Sequence, residues 1–234
     1  MTIPARLEAI AWDVDGTLID SEPVHLRALL ASCAGHDVDI SDLDDDAFLG
    51  VSLDGVWEVI GDRFPANVDR ERFVAEIDQR FCCLCRSIPP DTTPRAILDR
   101  LAHAGWRQVA VSNSGRAVVD ANLAHLGIGP LLEFSLSLDD VEAGKPDPAP
   151  YRQAAERLGV TASRIVVIED SASGLASARA AGCVTVALHG AGQPPAASDA
   201  LVSCLEEIPA LLAGAAAWRR QQPTDDQAQR KELP

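Results

Sequence analysis

Asp13-Val14-Asp15-Gly16-Thr17, at the end of the apolar run 7–12, is the stretch on which the fold reading turns. A short run that is apolar throughout reads as a strand buried on both faces, the kind found in parallel sheets. Gly16 permits a sharp turn where that strand emerges. Two carboxylates two residues apart at such a point can set one acid in line with a phosphorus atom and the other beside it. Acidic turns with Gly are also common without function, so the rest of the chain has to decide.

Similar brief β-rich runs follow at 108–111, 164–168 and 183–188, with a further strand near 200–202. Helical stretches at 117–126, 172–181 and 206–218 alternate with them. That alternation predicts an α/β core, a Rossmann-like doubly wound parallel sheet. Between the first strand and the helix start at Thr93-Pro94 lie about seventy residues with helical periodicity and no convincing strand. Ser21, as N-cap before Glu22-Pro23, opens a first helix there; Ser52 opens a second, to about Phe64, and Asp69 a third, to about Arg86. The expected organisation is a catalytic core from 1–19 and 89–218, an inserted α-helical cap at 20–88, and a polar, flexible tail at 219–234.

The chain has 234 residues, 47% of them apolar, which suffices for one large domain carrying a smaller insert. Its formal net charge of −15 opposes nucleic-acid phosphates and anionic membrane surfaces, so neither is an expected partner. No apolar stretch approaches the roughly 18 residues of a membrane span, and no export signal is evident. A cytoplasmic protein, a monomer or weak homodimer, is the expectation. The six cysteines do not form a disulfide framework. Cys82, Cys83 and Cys85 lack a second Cys/His pair at zinc spacing and read as structural thiols. The acidic run Asp37, Asp39, Asp42, Asp44, Asp45 and Asp46 fails as a calcium loop, since Asp42 stands where Gly is needed and Phe48 where a bidentate Glu is needed. It reads as a solvated loop leading into a helix N-terminus.

In open α/β sheets the ligand site lies beyond the carboxyl ends of the strands. Four pieces fall there: Asp13 with Asp15, Ser112 with Asn113, Glu169 with Asp170, and Lys145 in Gly144-Lys145-Pro146-Asp147-Pro148, ahead of a helix with Asp147 as N-cap. Each has a task if the substrate is a phosphate monoester. Asp13 can accept the phosphoryl group as an aspartyl phosphate, while Asp15 protonates the leaving alkoxide and later deprotonates water. Ser112 and the backbone N–H groups around Asn113 and Ser114 can bind phosphoryl oxygens, and Lys145 offsets their charge. Asp170, Asp13 and the carbonyl of Asp15 can form an oxygen-only Mg2+ site, with Glu169 near enough to hold one of its waters. Ser112 and the acids before Ala172 also read individually as helix caps. Lys145 stands apart, because the only other lysine in the chain is Lys231, in the tail.

On Asp13-Val14-Asp15-Gly16-Thr17-Leu18, Val111-Ser112-Asn113-Ser114, Gly144-Lys145-Pro146-Asp147-Pro148 and Ile168-Glu169-Asp170-Ser171 with Gly174, the chain resembles the haloacid dehalogenase superfamily. Its likeness is to the beta-phosphoglucomutase-like phosphatase branch with a helical cap. The resemblance implies a Rossmann-like core, magnesium, Asp13 as phosphoryl acceptor and Asp15 as acid/base.

The resemblance also separates reactions. Dehalogenases lack an acid at the Asp15 position, and phosphonoacetaldehyde hydrolases need a cap lysine that 20–88 does not contain. Ser21-Glu22-Pro23-Val24-His25 and Leu49-Gly50-Val51-Ser52 look like the mutase cap. This chain, however, has Leu53 where the mutase has an arginine for the distal phosphate, and Gly115-Arg116 where it has Lys-Asn. Hydrolysis of a small phosphorylated metabolite (a sugar, sugar-alcohol or sugar-acid phosphate) is therefore the expected activity, with hexose-phosphate mutase the alternative. His25 is a candidate to tune Asp15 or an ordinary half-buried histidine. Arg116 is a candidate substrate contact or an exposed arginine.

Overall fold

A computed structural model describes residues 7–44, 47–48, 51–189 and 197–219. Asp45 and Asp46 of the acidic run, Leu49 and Gly50 of the cap loop, and the tail from 220 lie outside the described residues. The apolar run forms β1 (Ala9–Trp12), every residue of which is buried. It has parallel partners on both sides, β2 (Arg107–Val111) and β4 (Ile165–Glu169). Outside these lie β3 (Phe134–Leu136) against β2, and β5 (Val184–Leu188) followed by β6 (Ala200–Val202) against β4. The order is β3-β2-β1-β4-β5-β6, all parallel, so the chain reverses direction across the sheet between β1 and β4. That is the doubly wound arrangement in which ligands sit at the switch point.

Strand alternation sends side chains to two different layers. Ile10 and Trp12 pack with α4 (Thr93–His103), α5 (Arg116–Leu126) and α8 (Ile208–Arg219) through Leu98, Val119 and Ile208. Ala9 and Ala11 face the opposite layer, α6 (Ala149–Leu158) and α7 (Ala172–Ala181), through Tyr151, Ala154 and Ala178. Trp12 pairs in register with both Ala110 and Ile168, so β1, β2 and β4 end level. The residues that follow each strand therefore emerge on one rim.

Between β1 and α4 the chain is helical: α1 (Glu22–Gly35), α2 (Leu53–Ile60) and α3 (Arg70–Leu84). Phe73, Ile77 and Phe81, spaced four apart, form the fully buried stripe of α3. Phe73 meets Trp57 and Phe64 with ring centroids 5.0 and 5.2 Å away. Ser52 caps α2 by accepting from Gly55 N at 3.2 Å, and Asp69 caps α3 by accepting from Arg72 N at 2.9 Å.

Four details depart from the sequence reading. β3 was not anticipated, because a three-residue edge strand containing Ser135 carries little β signal. The helix opened by Ser52 stops at Ile60, short of Phe64, and passes into a 3₁₀ turn, Gly61–Arg63. α8 extends through Arg219, which had been assigned to the tail. α6 begins at Ala149 with Pro148, not Asp147, as its N-cap, although Asp147 Oδ1 accepts from Ala149 N at 2.8 Å. No helix among the described residues is long and apolar enough to cross a membrane.

Beneath the rim, Trp12 Nε1 donates to Gln108 Oε1 at 3.1 Å, and Gln108 Nε2 donates to the Leu98 carbonyl at 2.9 Å. Gln108→Leu leaves the buried indole N–H without an acceptor. We expect a stability loss of about 1–3 kcal/mol, read as a lower urea midpoint at an unchanged m-value.

Candidate active site

Asp13 follows β1 directly and continues the Ala9/Ala11 side of the strand; Glu169, the last residue of β4, continues the matching Ile165/Val167 side. Both carboxylates are buried, and Lys145 joins them. Its Nζ donates to Asp13 Oδ1 at 2.6 Å, to Glu169 Oε1 at 2.6 Å and to the Val111 carbonyl at 2.9 Å. Lys145 is aimed by Asn113, whose Oδ1 accepts from Lys145 N at 2.8 Å while its Nδ2 donates to the Lys145 carbonyl at 3.0 Å. Glu169 Oε1 also accepts from Tyr151 Oη at 3.1 Å, and its Oε2 accepts from Ser171 Oγ at 2.8 Å and Ser171 N at 3.1 Å.

Two glycines make this closeness possible. Gly174 lies so near the Glu169 carboxylate that a Cβ there would overlap it. Gly16, at φ +81°, closes the turn after Asp15 and brings the backbone against Asp170, leaving no space for a Cβ. Thr17 Oγ1 donates to Asp170 Oδ1 at 2.9 Å.

Ligand oxygens of Asp13, Glu169 and Asp170 lie within 4.8 Å of one another. Burial, and then the charge of Glu169, push the Asp13 carboxyl well above the usual carboxylate range, against the pull of Lys145. Asp170, exposed at the open side, is raised to about 6 by desolvation and Glu169, with the Thr17 hydroxyl opposing. For Lys145, burial is outweighed by Asp13 and Glu169, which hold it protonated well above an ordinary lysine. Three carboxylates against one ammonium leave a negative excess at an oxygen-only donor set. The residues fit a hard divalent cation, with Asp13 and Asp170 as the side chains that would hold it and Glu169, its oxygens engaged by Lys145, Tyr151 and Ser171, beside them.

Asp15 is turned to different company. Its Oδ1 accepts from Ser21 Oγ at 2.6 Å and Asn122 Nδ2 at 2.8 Å, with His25 Nε2 at 3.4 Å. Its Oδ2 accepts from Ser114 Oγ at 2.8 Å and Ser112 Oγ at 3.1 Å. Burial opposes ionisation here, but His25, Ser21 and Ser114 overcome it and hold the carboxyl well below the usual range. His25 is fixed by stacking on Phe81 of α3, with ring centroids 4.1 Å apart.

The structure thus joins Asp13, Lys145, Glu169 and Asp170 in one group, and Asp15, Ser112, Ser114 and His25 in an adjacent one. The Asp15 carboxylate is not part of the three-acid cluster. Ser21 is the N-cap of α1, as expected, but makes no side-chain capping bond; its hydroxyl serves Asp15 instead. Asn113 uses its amide on Lys145. Arg116 points elsewhere: its guanidinium binds Ser135 Oγ at 2.7 Å, Asp120 at 3.2 Å and Asp140. An arginine held by two carboxylates is a structural tie between α5 and the turn after β3. The three neighbouring cysteines diverge, Cys82 toward the Ala117 carbonyl, Cys85 toward Asn122, and Cys83 to solvent.

Sequence reading missed Asn122, Tyr151 and Asp78. Tyr151, the chain's one tyrosine, stands three residues beyond Pro148, a spacing that offered a signal. Asn122 and Asp78 sit mid-helix with no local mark. Asp78 of α3 reaches the seam where Gly115 opens α5. Its Oδ2 lies 2.7 Å and that of Asp139 3.7 Å from where a Gly115 Cβ would stand. Desolvation, with Asp139 and Asp15 adding and His25 opposing, raises Asp78 to about 6.

A profile of the haloacid dehalogenase-like hydrolases matches residues 7–182. The chain is similar to the plasmid phosphoglycolate phosphatase of Cupriavidus necator, 33% identical over 230 residues, spanning 90% of this chain and 95% of the relative. It is similar to the fructose-1-phosphate phosphatase YqaB of Escherichia coli, 29% identical over 183 residues, spanning 76% and 94%. Among solved structures, CbbY of Rhodobacter sphaeroides in complex with phosphate superposes with a TM-score of 0.77 at 25% identity, spanning 86% of this chain and 96% of that one.

Two stability experiments follow from the charges. Lys145→Met strips the cation from between two buried carboxylates; the expected loss is about 3–5 kcal/mol near neutral pH, measured by denaturant unfolding. Asp78 behaves differently. Its folded value of about 6 lies above the ordinary carboxyl, so its contribution is present in full below about pH 4 and is lost as pH rises through 6. Asp78→Asn should raise stability at pH 7.5 by about 1 kcal/mol after allowance for solvent screening, and should change nothing at pH 3.5.

Proposed function

The chain belongs to the haloacid dehalogenase-like hydrolases, and from that membership we propose that it is a magnesium-dependent phosphatase acting on a small phosphorylated metabolite through an aspartyl phosphate on Asp13. The observation that carries this reading is the cluster of Asp13, Glu169 and Asp170 at the switch point, with Lys145 spanning two of them. A magnesium ion bound to this oxygen set would supply positive charge for the phosphoryl group that the acids alone would repel.

Asp13 Oδ1 carries the Lys145 contact, so Oδ2 is the oxygen assigned to attack phosphorus. The new bond is Asp13 O–P and the bond broken is P–O to the alcohol; Asp15, ionised in the free protein, first takes a proton from solvent as substrate binds and then passes it to the alcohol oxygen. Water then attacks the same phosphorus, Asp15 takes the water's proton, and Asp13 is released with inorganic phosphate. Lys145 draws charge from the transferring group and holds Asp13 in place. Ser112 and Ser114, both on Asp15 Oδ2, orient the acid/base, and the N–H groups opening α5 are available to phosphoryl oxygens. His25 and Ser21 bring α1 and its approach to bear on the same carboxylate.

The substrate class is a sugar, sugar-alcohol or sugar-acid phosphate. Its support is the names of the relatives, whose esters are phosphoglycolate and fructose 1-phosphate. The helical segment 20–88, as a cap, would close over the rim and exclude bulk water. Mutase chemistry finds less support, because Arg116 is bound to Asp120 and Asp140 and Leu53 offers no charge to a second phosphate.

Phosphate release should be measured across some dozens of phosphorylated metabolites with magnesium, beside Asp13→Asn. Turnover is expected for alkyl phosphates of small polyols or hydroxy acids, abolished by a chelator and lowered at least about 1,000-fold by Asp13→Asn. Activity surviving in that variant overturns the nucleophile; interconversion of phosphohexoses without net phosphate release overturns hydrolysis.

A further inference from the structure

The geometry points to Asn122 as a positioning residue for the acid/base carboxylate, with Cys85 fixing the orientation of its amide; this rests on the role proposed for Asp15. Asn122 is fully buried in α5, 107 residues from Asp15 in sequence, and its Nδ2 donates to Asp15 Oδ1 at 2.8 Å. Nδ2 is the donor end of the amide, and the Asp15 oxygen it faces accepts. The Oδ1 end then faces Cys85, whose Sγ lies 3.6 Å away and whose S–H is the donor. Cys85 belongs to the 3₁₀ turn Cys85–Ser87, where the chain leaves α3 on its way back to α4. Both ends of the amide are thereby assigned without ambiguity.

Three donors share Asp15 Oδ1. Ser21 and His25 lie at and just beyond the start of α1, on the helical segment's side of the seam, whereas Asn122 stands on a helix packed against the sheet. Ser112 and Ser114 act on the other oxygen. Asn122 is thus the donor by which the sheet-bearing half fixes Oδ1 directly, and with the two serines it defines the plane of the carboxylate. An apolar side chain of the same size would serve α3–α5 packing equally well. A buried amide at this point costs desolvation unless both ends are matched, and both are. Proton delivery to a leaving oxygen needs that plane held to within hydrogen-bond geometry.

Acid assistance matters for an alkoxide leaving group and little for a nitrophenolate, so the ratio of the two activities isolates the role. The probes are p-nitrophenyl phosphate and whichever of phosphoglycolate, fructose 1-phosphate and glucitol 6-phosphate is turned over fastest, with magnesium. For Asn122→Leu, kcat on the alkyl ester should fall by about tenfold or more with KM within about twofold, while the aryl ester loses no more than about threefold. Cys85→Val should move the ratio the same way by a smaller factor, about threefold. Asn122→Ala repeats the measurement should the leucine not be accommodated. Equal losses on both esters in Asn122→Leu, or in Asn122→Ala if leucine prevents folding, make the residue structural and overturn the proposal. Asp15→Asn, assayed in parallel, separates the two failures. If it shows the alkyl–aryl split and Asn122→Leu does not, the positioning role alone falls; if Asp15→Asn shows no split, the acid/base role falls and the positioning role with it.

Discussion

The rim of this sheet depends on one ammonium. Lys145 sits between Asp13 and Glu169 at 2.6 Å from each, in a place that solvent hardly reaches. Two buried carboxylates on adjacent parallel strands would otherwise repel strongly, since little water is present to screen them. Sheet register sets the proximity: β1 and β4 end level, so the acid that follows one strand and the acid that ends the other necessarily meet. Every other feature of the rim accommodates that meeting. Asn113 clamps the Lys145 backbone from both sides. Tyr151 and Ser171 take up the remaining capacity of Glu169. Glycine at 174 lets α7 approach Glu169 more closely than any side chain would allow.

Asp13 and Asp15, two residues apart, occupy opposite electrostatic environments. The first is buried among other acids and pushed up; the second is surrounded by donors and held down. Five donors converge on the roughly four lone-pair positions of the Asp15 carboxylate. The division arises in the backbone. β1 ends at Trp12, Asp13 continues its pleat, and Val14 then receives the N–H groups of Leu18 and Ile19, folding the chain back on itself. Asp15 thereby leaves the plane of the sheet and turns toward α1 and α5. One tight turn thus produces the difference between the two surroundings.

What the sequence disclosed depended on whether a signal was local. Period and composition identify β1, β2, β4 and β5, because each is a dense apolar run beside turn residues. Asp13, Glu169 and Asp170 were legible because they follow such runs, and Lys145 because lysine is otherwise almost absent. β3 was hidden by its brevity. The donors to Asp15 were hidden for another reason: Asn122 and Ser21 are ordinary polar residues whose partner is fixed only when α1, α5 and β1 come together. Ser21 carried a local signal that placed it correctly as the N-cap of α1 but said nothing of its hydroxyl, which Asp15 claims. Arg116 shows the reverse case, a cation at a suggestive position that finds carboxylates nearer than any substrate.

The two halves of the site are built under different constraints. The phosphoryl end is over-determined: strand register, two glycines without room for a Cβ and a buried ion pair all fix it, and none of these depends on what alcohol is attached to phosphorus. The seam between α3 and α5 is under-determined by comparison. There Asp78 and Asp139 approach one another across Gly115, Asp139 Oδ2 accepting from Arg116 N at 2.7 Å, and Cys82 reaches a backbone carbonyl. Relatives named for phosphoglycolate and for fructose 1-phosphate can share such a rim, because discrimination between alcohols is a matter of differential contact at the second half.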